Sequence, residues 1–305
     1  MKTSDRIPWA DVPAPLLHRI AALLGSHIDT VDEQTGGFSP GVAARVSTIS
    51  GRRAFVKAAP HSLGAAASLY SREADVLSVL PSGTSAPALI GSAEADGWFA
   101  LVSEEIDGSH AQPPSEEHLV AVLDLLAASP EANELPLPKL TESVDFTQWP
   151  ILAAEYCDRL GRWELENASR LSDAAISALP LLTGTRLVHL DTRLDNILFN
   201  AGGQPHLVDW AWACIGQPWI DGLCLLLDAR YHGFAGTDAL TSHELFSGVD
   251  PTTVDGVLAG LAGMFRLGSF QPAPPRMGFL RAFQAAEANE ATAWIRERHA
   301  KRVCS

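Results

Sequence analysis

The sequence has no long hydrophobic run. The most apolar parts are interrupted by Asp228, Arg230 and Arg266, so none reaches the roughly 20 apolar residues of a membrane-spanning helix. The first 17 residues contain charged residues and prolines, such as Asp5 and Pro8, where a secretory signal peptide has its apolar segment. The sequence therefore predicts no membrane partner, no export and a cytoplasmic location.

Cysteine and basic residues are both scarce. The cysteines are Cys157, Cys214, Cys224 and Cys304. None has the paired spacing of a zinc ribbon or a redox motif, so we expect free thiols without chemistry. The 22 basic residues are outnumbered by 36 acidic residues, which gives a net charge of −14. This charge opposes binding to nucleic acid. It would favour a cationic ligand, although a solvated acidic surface that maintains solubility is the simpler explanation.

The chain changes character near residue 108. Before it, alternation of apolar residues predicts strands over Val42–Ile49, Arg53–Ala58 and Trp98–Val102, with a helix over Leu63–Leu80. After it, amphipathic helices dominate. We expect these over Ser115–Ala128, Ile151–Asn167, Ser172–Leu182, Gly222–Tyr231, Thr253–Leu267 and Gly278–His299, with Ser115 and Ser172 as N-caps. The sequence predicts an α+β fold, with a small antiparallel β lobe over residues 1–107 and a mainly helical lobe over residues 108–305.

The strongest chemical signal is a His-x-Asp-x-x-x-x-Asn pattern after a short apolar strand. Its members are His189, Asp191 and Asn196, which have the spacing of a kinase catalytic loop. Asp191 suits the orientation and deprotonation of an acceptor hydroxyl, and Asn196 offers a neutral oxygen to Mg²⁺. Arg193 is placed to offset charge on the transferring phosphoryl group, while His189 is predicted to brace the loop. Alone, the pattern could arise by chance.

A second polar cluster supplies the carboxylate that such a site needs. Asp209 follows the apolar strand His206–Val208, and Mg²⁺ favours a carboxylate beside an amide oxygen. A lone aspartate at a strand end more often caps a turn, so this interpretation depends on the preceding pattern. Asp221, farther along the chain, follows Gly216-Gln217-Pro218 and could be an ordinary helix N-cap.

Through these motifs the sequence resembles the aminoglycoside phosphotransferase family and its choline-kinase-like relatives, over approximately residues 36–222. The resemblance implies a bilobal protein-kinase-like fold, ATP and Mg²⁺ as cofactors, and transfer of the γ-phosphate to a hydroxyl of a small molecule, such as an aminoglycoside or another antibiotic. It also implies that Asp221 supports the catalytic loop. The chain departs from the family at Leu190, where a glycine is usual, and at Arg193-Leu194, where His-Pro is common.

The N-terminal region contains the lysine and the glutamate by which a kinase holds phosphates. Lys57 lies inside a predicted strand of a chain that has 18 arginines and four lysines. Glu73 lies on the apolar face of the predicted helix, and a buried carboxylate needs a partner. We therefore predict a Lys57–Glu73 pair. A surface pairing of Glu73 with Arg72 is the alternative.

Two further segments are expected to contact the nucleotide. The segment Gly36–Gly41 precedes the first strands, where a nucleotide-covering loop should lie, but does not match G-x-G-x-x-G. Backbone amides near Ser39 could approach the phosphates. After the last strand of this region, the backbone of Glu105 and Ile106 is expected to contact adenine. These assignments rest on position in the sequence.

Two other functional classes stay open at this point. A pseudokinase acting as a nucleotide-binding regulatory module is one, although Lys57, Glu73, Asp191, Asn196 and Asp209 are all present. A metal-dependent phosphohydrolase could use His189, Asp191, His206 and Asp209, but this leaves the lysine, the glutamate and the asparagine unexplained. The sequence does not identify the acceptor or the oligomeric state.

Overall fold

The structure, a computed structural model, describes residues 5–304, without the side chains of Ala65, Ala66, Val303 and Cys304. The thiol of Cys304 thus lies outside the described part. Cys157, Cys214 and Cys224 are thiols and not disulfides. Spatial proximity divides the chain into two compact units. Unit 1 consists of Met1–His110, Asp195–Trp212 and Ala273–Phe279, and unit 2 consists of Ala111–Leu194, Ala213–Pro272 and Leu280–Ser305.

Strands and helices both contribute. The strands are β1 Ile28–Glu33, β2 Val42–Thr48, β3 Arg53–Pro60, β4 Leu89–Ala95, β5 Trp98–Glu104, β6 Gly108–Ser109, β7 Arg186–Val188, β8 Ile197–Asn200, β9 Pro205–Leu207 and β10 Cys214–Gly216. The helices are α1 Ala14–Leu24, α2 Ala65–Val79, α3 Glu116–Ala127, α4 Leu140–Ser143, α5 Gln148–Glu155, α6 Arg162–Ala178, α7 Trp219–Tyr231, α8 Thr237–Leu240, α9 Pro251–Phe270 and α10 Leu280–Cys304.

A five-stranded antiparallel sheet forms the body of unit 1. Its strand order is β1-β2-β3-β5-β4. Alternate residues of β3, including Val56 and Ala58, are fully buried and join a core with β2, β5 and α1, because successive side chains of a strand point to opposite faces. Lys57 lies between these two core residues and therefore projects to the other face, toward α2. This alternation fixes the side of the sheet on which the lysine acts.

Unit 1 also contains a small sheet with the order β6-β8-β9. Strands β8 and β9 form an antiparallel hairpin in which Ile197 lies opposite Leu207. A short 3-10 turn, Trp210–Trp212, follows the hairpin and packs against α2. The hairpin thus brings the residues before β8 and after β9 to one end of this sheet.

Unit 2 is mainly helical, with α9 packed against α6 and α10. A buried ion pair joins α9 to α6, since Arg266 Nη2 lies 2.7 Å from Glu164 Oε1. Trp149 is fully buried and donates from its indole nitrogen to the carbonyl of Ala259. The antiparallel pair of β7 and β10 ends at Val188, directly before the predicted catalytic loop.

These observations confirm the α+β class. Ser115 caps α3 as predicted, with its hydroxyl accepting the N–H of His118. The prediction of Ser172 as a cap was wrong, because this residue is buried inside α6 and the chain breaks earlier, between α5 and α6. Within residues 5–304, no helix is long and apolar enough to cross a membrane.

Candidate active site

In unit 1, the ammonium group of Lys57 lies between two carboxylates. Its Nζ atom is 2.6 Å from Glu73 Oε2 and 3.2 Å from Asp209 Oδ1. The side chain of Glu73 is 3% exposed and that of Asp209 is 40% exposed, so the lysine connects a buried anion to an accessible one. The glutamate also accepts a hydrogen bond from the backbone of Trp210. Strand β3, helix α2 and the segment after β9 therefore meet at one charge cluster.

The charges in this cluster depend on one another. Burial disfavours the charged form of Lys57, but Asp209 and Glu73 outweigh it and raise the pKa of the ammonium group. Burial also raises the pKa of the Glu73 carboxyl above its usual range, with Lys57 opposing the rise and Asp209 adding to it. The lysine is thus held as a cation. Arg72, the alternative partner of Glu73, lies instead over the ring of Trp212, 5.4 Å from its centroid.

Two oxygen donors lie at the same end of the β8–β9 hairpin. Asn196 directly precedes β8 and Asp209 follows β9 by two residues, and the Val208 N–H donates to the carbonyl oxygen of Asn196 at 2.9 Å. Amide and carboxylate oxygens are the hard donors that Mg²⁺ prefers. The donor set therefore fits a magnesium ion. Asp209 has a φ of 67°, an uncommon backbone conformation for a residue other than glycine.

In unit 2, Asp191 forms an ion pair with Arg193. Asp191 Oδ1 lies 3.0 Å from Arg193 Nε. The guanidinium carbon is 5.3 Å from the ring centroid of Phe283 on α10, within the range of a cation–π contact. The arginine is therefore held by a carboxylate of its own loop and by an aromatic ring of a distant helix. Nothing in the local sequence pattern indicates the contact with Phe283.

Asp221, on α7, supports the backbone of the two residues that directly precede Asp191. Its two carboxylate oxygens accept the N–H groups of His189 and Leu190, each at 2.7 Å. Burial raises the pKa of Asp221 to about 6, against the opposing effect of these donors and of the Thr192 hydroxyl. His189 is itself buried, and its Nδ1 accepts the N–H of Asp191 at 3.3 Å.

Leu190 has a φ of 63°. This left-handed conformation favours glycine, the residue that is usual here in the family that the sequence resembles. A leucine in it carries strain of the order of 1–3 kcal/mol. The hydrogen bond from its N–H to Asp221 holds the backbone in place, so the loop keeps this shape although the glycine is missing.

A second carboxylate of α7, Asp228, also supports the loop. It is buried, and its Oδ2 atom accepts the Leu194 N–H at 2.8 Å. Burial raises the pKa of the nearby Cys224 thiol, and the charges of Asp221, Asp191, Glu287 and Asp228 raise it further. Cys224 is therefore a neutral thiol, and several negative charges of unit 2 lie in the neighbourhood of Asp191.

The residues predicted to contact the nucleotide lie in unit 1. The hydroxyl of Ser39 shares a hydrogen bond of 2.5 Å with the phenol of Tyr70 on α2. Glu105 and Ile106 lie in the segment between β5 and β6. The carboxylate of Glu105 accepts two hydrogen bonds from Arg53 and one from Arg45. The sheet thus fixes the segment that was expected to hold adenine.

The phosphohydrolase hypothesis depends on histidines as metal ligands. His206 Nδ1 lies 3.2 Å from the hydroxyl of Ser85 and its Nε2 lies 3.3 Å from the amide of Asn200, so both ring nitrogens already have polar neighbours. Among the described residues, no group of three or more His, Cys, Asp or Glu side chains is arranged to hold a metal.

Several residues near the site were not singled out from the sequence. They are Arg6, Arg45, Arg53, Tyr70 and Phe283. Each acts through a partner far away in the chain, such as Arg53 with Glu105 at a separation of 52 residues. Local spacing carries no signal for contacts of this kind.

Comparison with known proteins agrees with the motifs. A model of the Phosphotransferase enzyme family matches residues 35–255, which include every predicted catalytic, metal and nucleotide residue. A search of curated protein sequences found no significant match.

Solved structures show the same fold. Choline kinase LicA from Streptococcus pneumoniae has a TM-score of 0.59 at 15% identity, over 90% of this chain and 96% of that chain. An aminoglycoside phosphotransferase from Alicyclobacillus acidocaldarius has a TM-score of 0.52 at 17% identity, over 96% and 98%. The amicoumacin kinase hAmiN has a TM-score of 0.57 at 13% identity, over 92% and 95%. The predicted protein-kinase-like fold is confirmed.

Proposed function

The chain belongs to the Phosphotransferase enzyme family and is a small-molecule kinase, and we propose that it transfers the γ-phosphate of ATP to a hydroxyl group of a small molecule. The arrangement of Lys57 between Glu73 and Asp209 is the observation that supports this most directly. A phosphate-binding lysine must stay cationic and must be held in place by a carboxylate. Both conditions are met in unit 1.

The proposed roles follow from the chemistry of each group. Lys57 would bind the phosphates of ATP, with backbone amides near Ser39 over them and the backbone of Glu105 and Ile106 at adenine. Asn196 and Asp209 would hold Mg²⁺, which when bound neutralises charge on the phosphate oxygens. The hAmiN structure contains AMP-PNP and Ca²⁺, which supports the combination of a nucleotide and a divalent cation.

Asp191 would orient the acceptor hydroxyl and take its proton. The acceptor oxygen forms a bond to the γ-phosphorus while the bond to the bridging oxygen of the β-phosphate breaks, and ADP leaves. Arg193 would stabilise negative charge on the transferring group, and His189 and Asp221 would hold the loop. The ion pair of Arg193 with Asp191 also holds the carboxylate in a fixed orientation.

We propose a cationic or polyhydroxylated acceptor that binds in unit 2 near Asp191. The negative charges around Cys224 and the net charge of −14 support a cation. Related structures belong to kinases named for choline and aminoglycosides, both of which are cationic. An antibiotic or a metabolite would satisfy this chemistry equally. A cytoplasmic location, where ATP is available, completes the proposal.

Calorimetric titration of ATP at a series of Mg²⁺ concentrations tests the metal and nucleotide site. Asp209→Ala should abolish Mg²⁺-dependent binding, because it removes the carboxylate ligand. Asn196→Ala should weaken binding at least roughly tenfold, because even the loss of a residue that only hydrogen-bonds to a metal ligand has an effect of that size on metal affinity. Asp29→Ala, which removes an exposed aspartate of β1, is the matched control and should bind normally. Unchanged titrations for both site variants would reject these metal ligands.

A further inference from the structure

One arginine near the N-terminus spans the base of the segment of residues 36–41, which we call the glycine loop. Arg6 donates from Nε to the carbonyl oxygen of Gly36 at 3.0 Å and from Nη1 to that of Gly41 at 3.0 Å. Its Nη2 also contacts Gly36. A single guanidinium group therefore joins the first and last residues of the loop.

The tip of the glycine loop is held by other residues of unit 1. Ser39 is bonded to the phenol of Tyr70, and this buried ring lies 5.9 Å from the Nζ atom of Lys57. The ring of Phe38 packs on that of Phe279, with 5.0 Å between the centroids. Base and tip are thus both fixed next to the lysine proposed to bind phosphates.

Two positions of the glycine loop, Gly37 and Gly41, are glycines with close neighbours. A Cβ atom at Gly37 would lie 2.9 Å from Arg6 Nη2, and Gly37 has a φ of 85°. A Cβ atom at Gly41 would lie 2.7 Å from the carbonyl oxygen of Ala58 and 2.7 Å from the Tyr70 hydroxyl. Gly41 therefore has no room for a side chain, and a side chain at Gly37 would be strained by the left-handed backbone and would displace the end of Arg6.

Arg6 is itself anchored. The next residue, Ile7, is buried and donates its N–H to the carbonyl oxygen of Pro40 at 2.9 Å. On the other side, Asp5 donates its N–H to the carbonyl oxygen of Arg276 at 3.2 Å, and Arg276 donates back to the Asp5 carbonyl oxygen at 3.2 Å. The anchoring residues at 5–7 and 276–279 lie outside residues 35–255, the range of the family match.

We propose that Arg6 is a positioning residue that holds the glycine loop in the conformation that binds the phosphates of ATP, an inference that rests on the proposed function. A loop that is ordered before binding loses less conformational freedom when the ligand arrives. Arginine suits the task because its planar fork donates to two acceptors at once, whereas a lysine ammonium is a point charge on a flexible stem.

Calorimetry with two nucleotides tests this role. Arg6→Ala should weaken Mg·ATP binding about tenfold, the effect of losing one or two preordered groups. It should leave adenosine binding unchanged, because adenosine has no phosphates for the loop to cover. Arg6→Lys should lose most of the same affinity, since one ammonium cannot replace both ends of the fork. Arg19→Ala, which removes an exposed arginine of α1, should match the wild type.

The outcomes separate this inference from the proposed function. If the wild type binds no Mg·ATP, both the proposed function and the role of Arg6 are rejected. If the wild type binds Mg·ATP and folded Arg6→Ala binds it equally well, or loses ATP and adenosine affinity to the same extent, only the role of Arg6 falls. Should Arg6→Ala not fold, Arg6→Lys decides, because wild-type ATP affinity in that variant would show that the fork is not needed.

Discussion

At the residue scale, the buried carboxylate of Asp221 holds the start of the proposed catalytic loop. Asp221 accepts one N–H group on each oxygen, from His189 and from Leu190. Hydrogen bonds to an ionised acceptor are stronger than those between neutral groups. The ionised form of Asp221 therefore orients the two residues that precede Asp191, including one in a left-handed conformation.

This arrangement predicts opposite effects of pH on turnover and on stability. Since burial raises the pKa of Asp221 to about 6, turnover should fall as the pH drops through about 6 and the carboxylate becomes protonated. The pKa in the folded state lies above the ordinary value of 3.8, so the folded state binds this proton more tightly than the unfolded state. This tighter proton binding adds about 3 kcal/mol to the free energy of unfolding. The contribution is fully present below pH 3.8 and is lost as the pH rises through about 6.

Asp221→Asn separates the effect of this group from that of other titrating residues. The free energy of unfolding of each protein is measured by urea denaturation from pH 4 to pH 7. As the pH rises, the wild type should lose stability relative to the variant, because only the wild type must ionise a buried carboxyl group. The turnover of the variant should be low at every pH, because its amide offers only one oxygen to two N–H donors. A wild-type pH–rate profile that stays flat from pH 7 to pH 5 would remove Asp221 from this role.

At the scale of elements, the charge cluster joins three parts of the chain. Lys57 comes from β3, Glu73 from α2 and Asp209 from the segment after β9. Helix α2 is therefore fixed to the sheet by an ion pair as well as by apolar contacts. Breaking one partner of a buried pair leaves an uncompensated charge, which is more costly than removing both.

A double-mutant cycle tests this pairing. Lys57→Ala and Glu73→Ala should each lower kcat/KM for ATP strongly, and the double variant should lose little more than either single variant, because the residues act as one unit. Asp75→Ala, which removes an exposed carboxylate of the same helix, should have no comparable effect. Fully additive losses in kcat/KM would show that the two residues act separately.

The elements that the sequence predicts are those with strong periodicity or a clear cap. Strand β3 and helix α3 have such signals, and the structure contains both. The break between α5 and α6 was missed, since the apolar pattern continues across residues 156–161. Strand β8 was also missed, because its four residues directly follow the polar catalytic-loop motif. Short strands of this kind form through their partners in the sheet and not through local preference.

At the scale of the whole molecule, the sequence predicted the spacing of the kinase motifs but not the long-range contacts. The pattern of His189, Asp191 and Asn196 indicated the chemistry because its residue types and spacing suit phosphoryl transfer. In contrast, nothing in the local sequence indicates that Ala273–Phe279 joins unit 1 and packs Phe279 on the glycine loop. Such contacts depend on the path of the entire chain.

Transfer of labelled phosphate from γ-labelled ATP to a panel of aminoglycosides, macrolides, amino alcohols and sugars tests the central claim most directly. The wild type should phosphorylate at least one of these hydroxyl compounds. Asp191→Asn should bind Mg·ATP normally but turn over roughly 10²- to 10⁴-fold more slowly, the usual effect of losing a general base. A wild type that binds Mg·ATP without transferring phosphate to any acceptor, as a regulatory module would, or near-normal turnover by Asp191→Asn, would contradict the account.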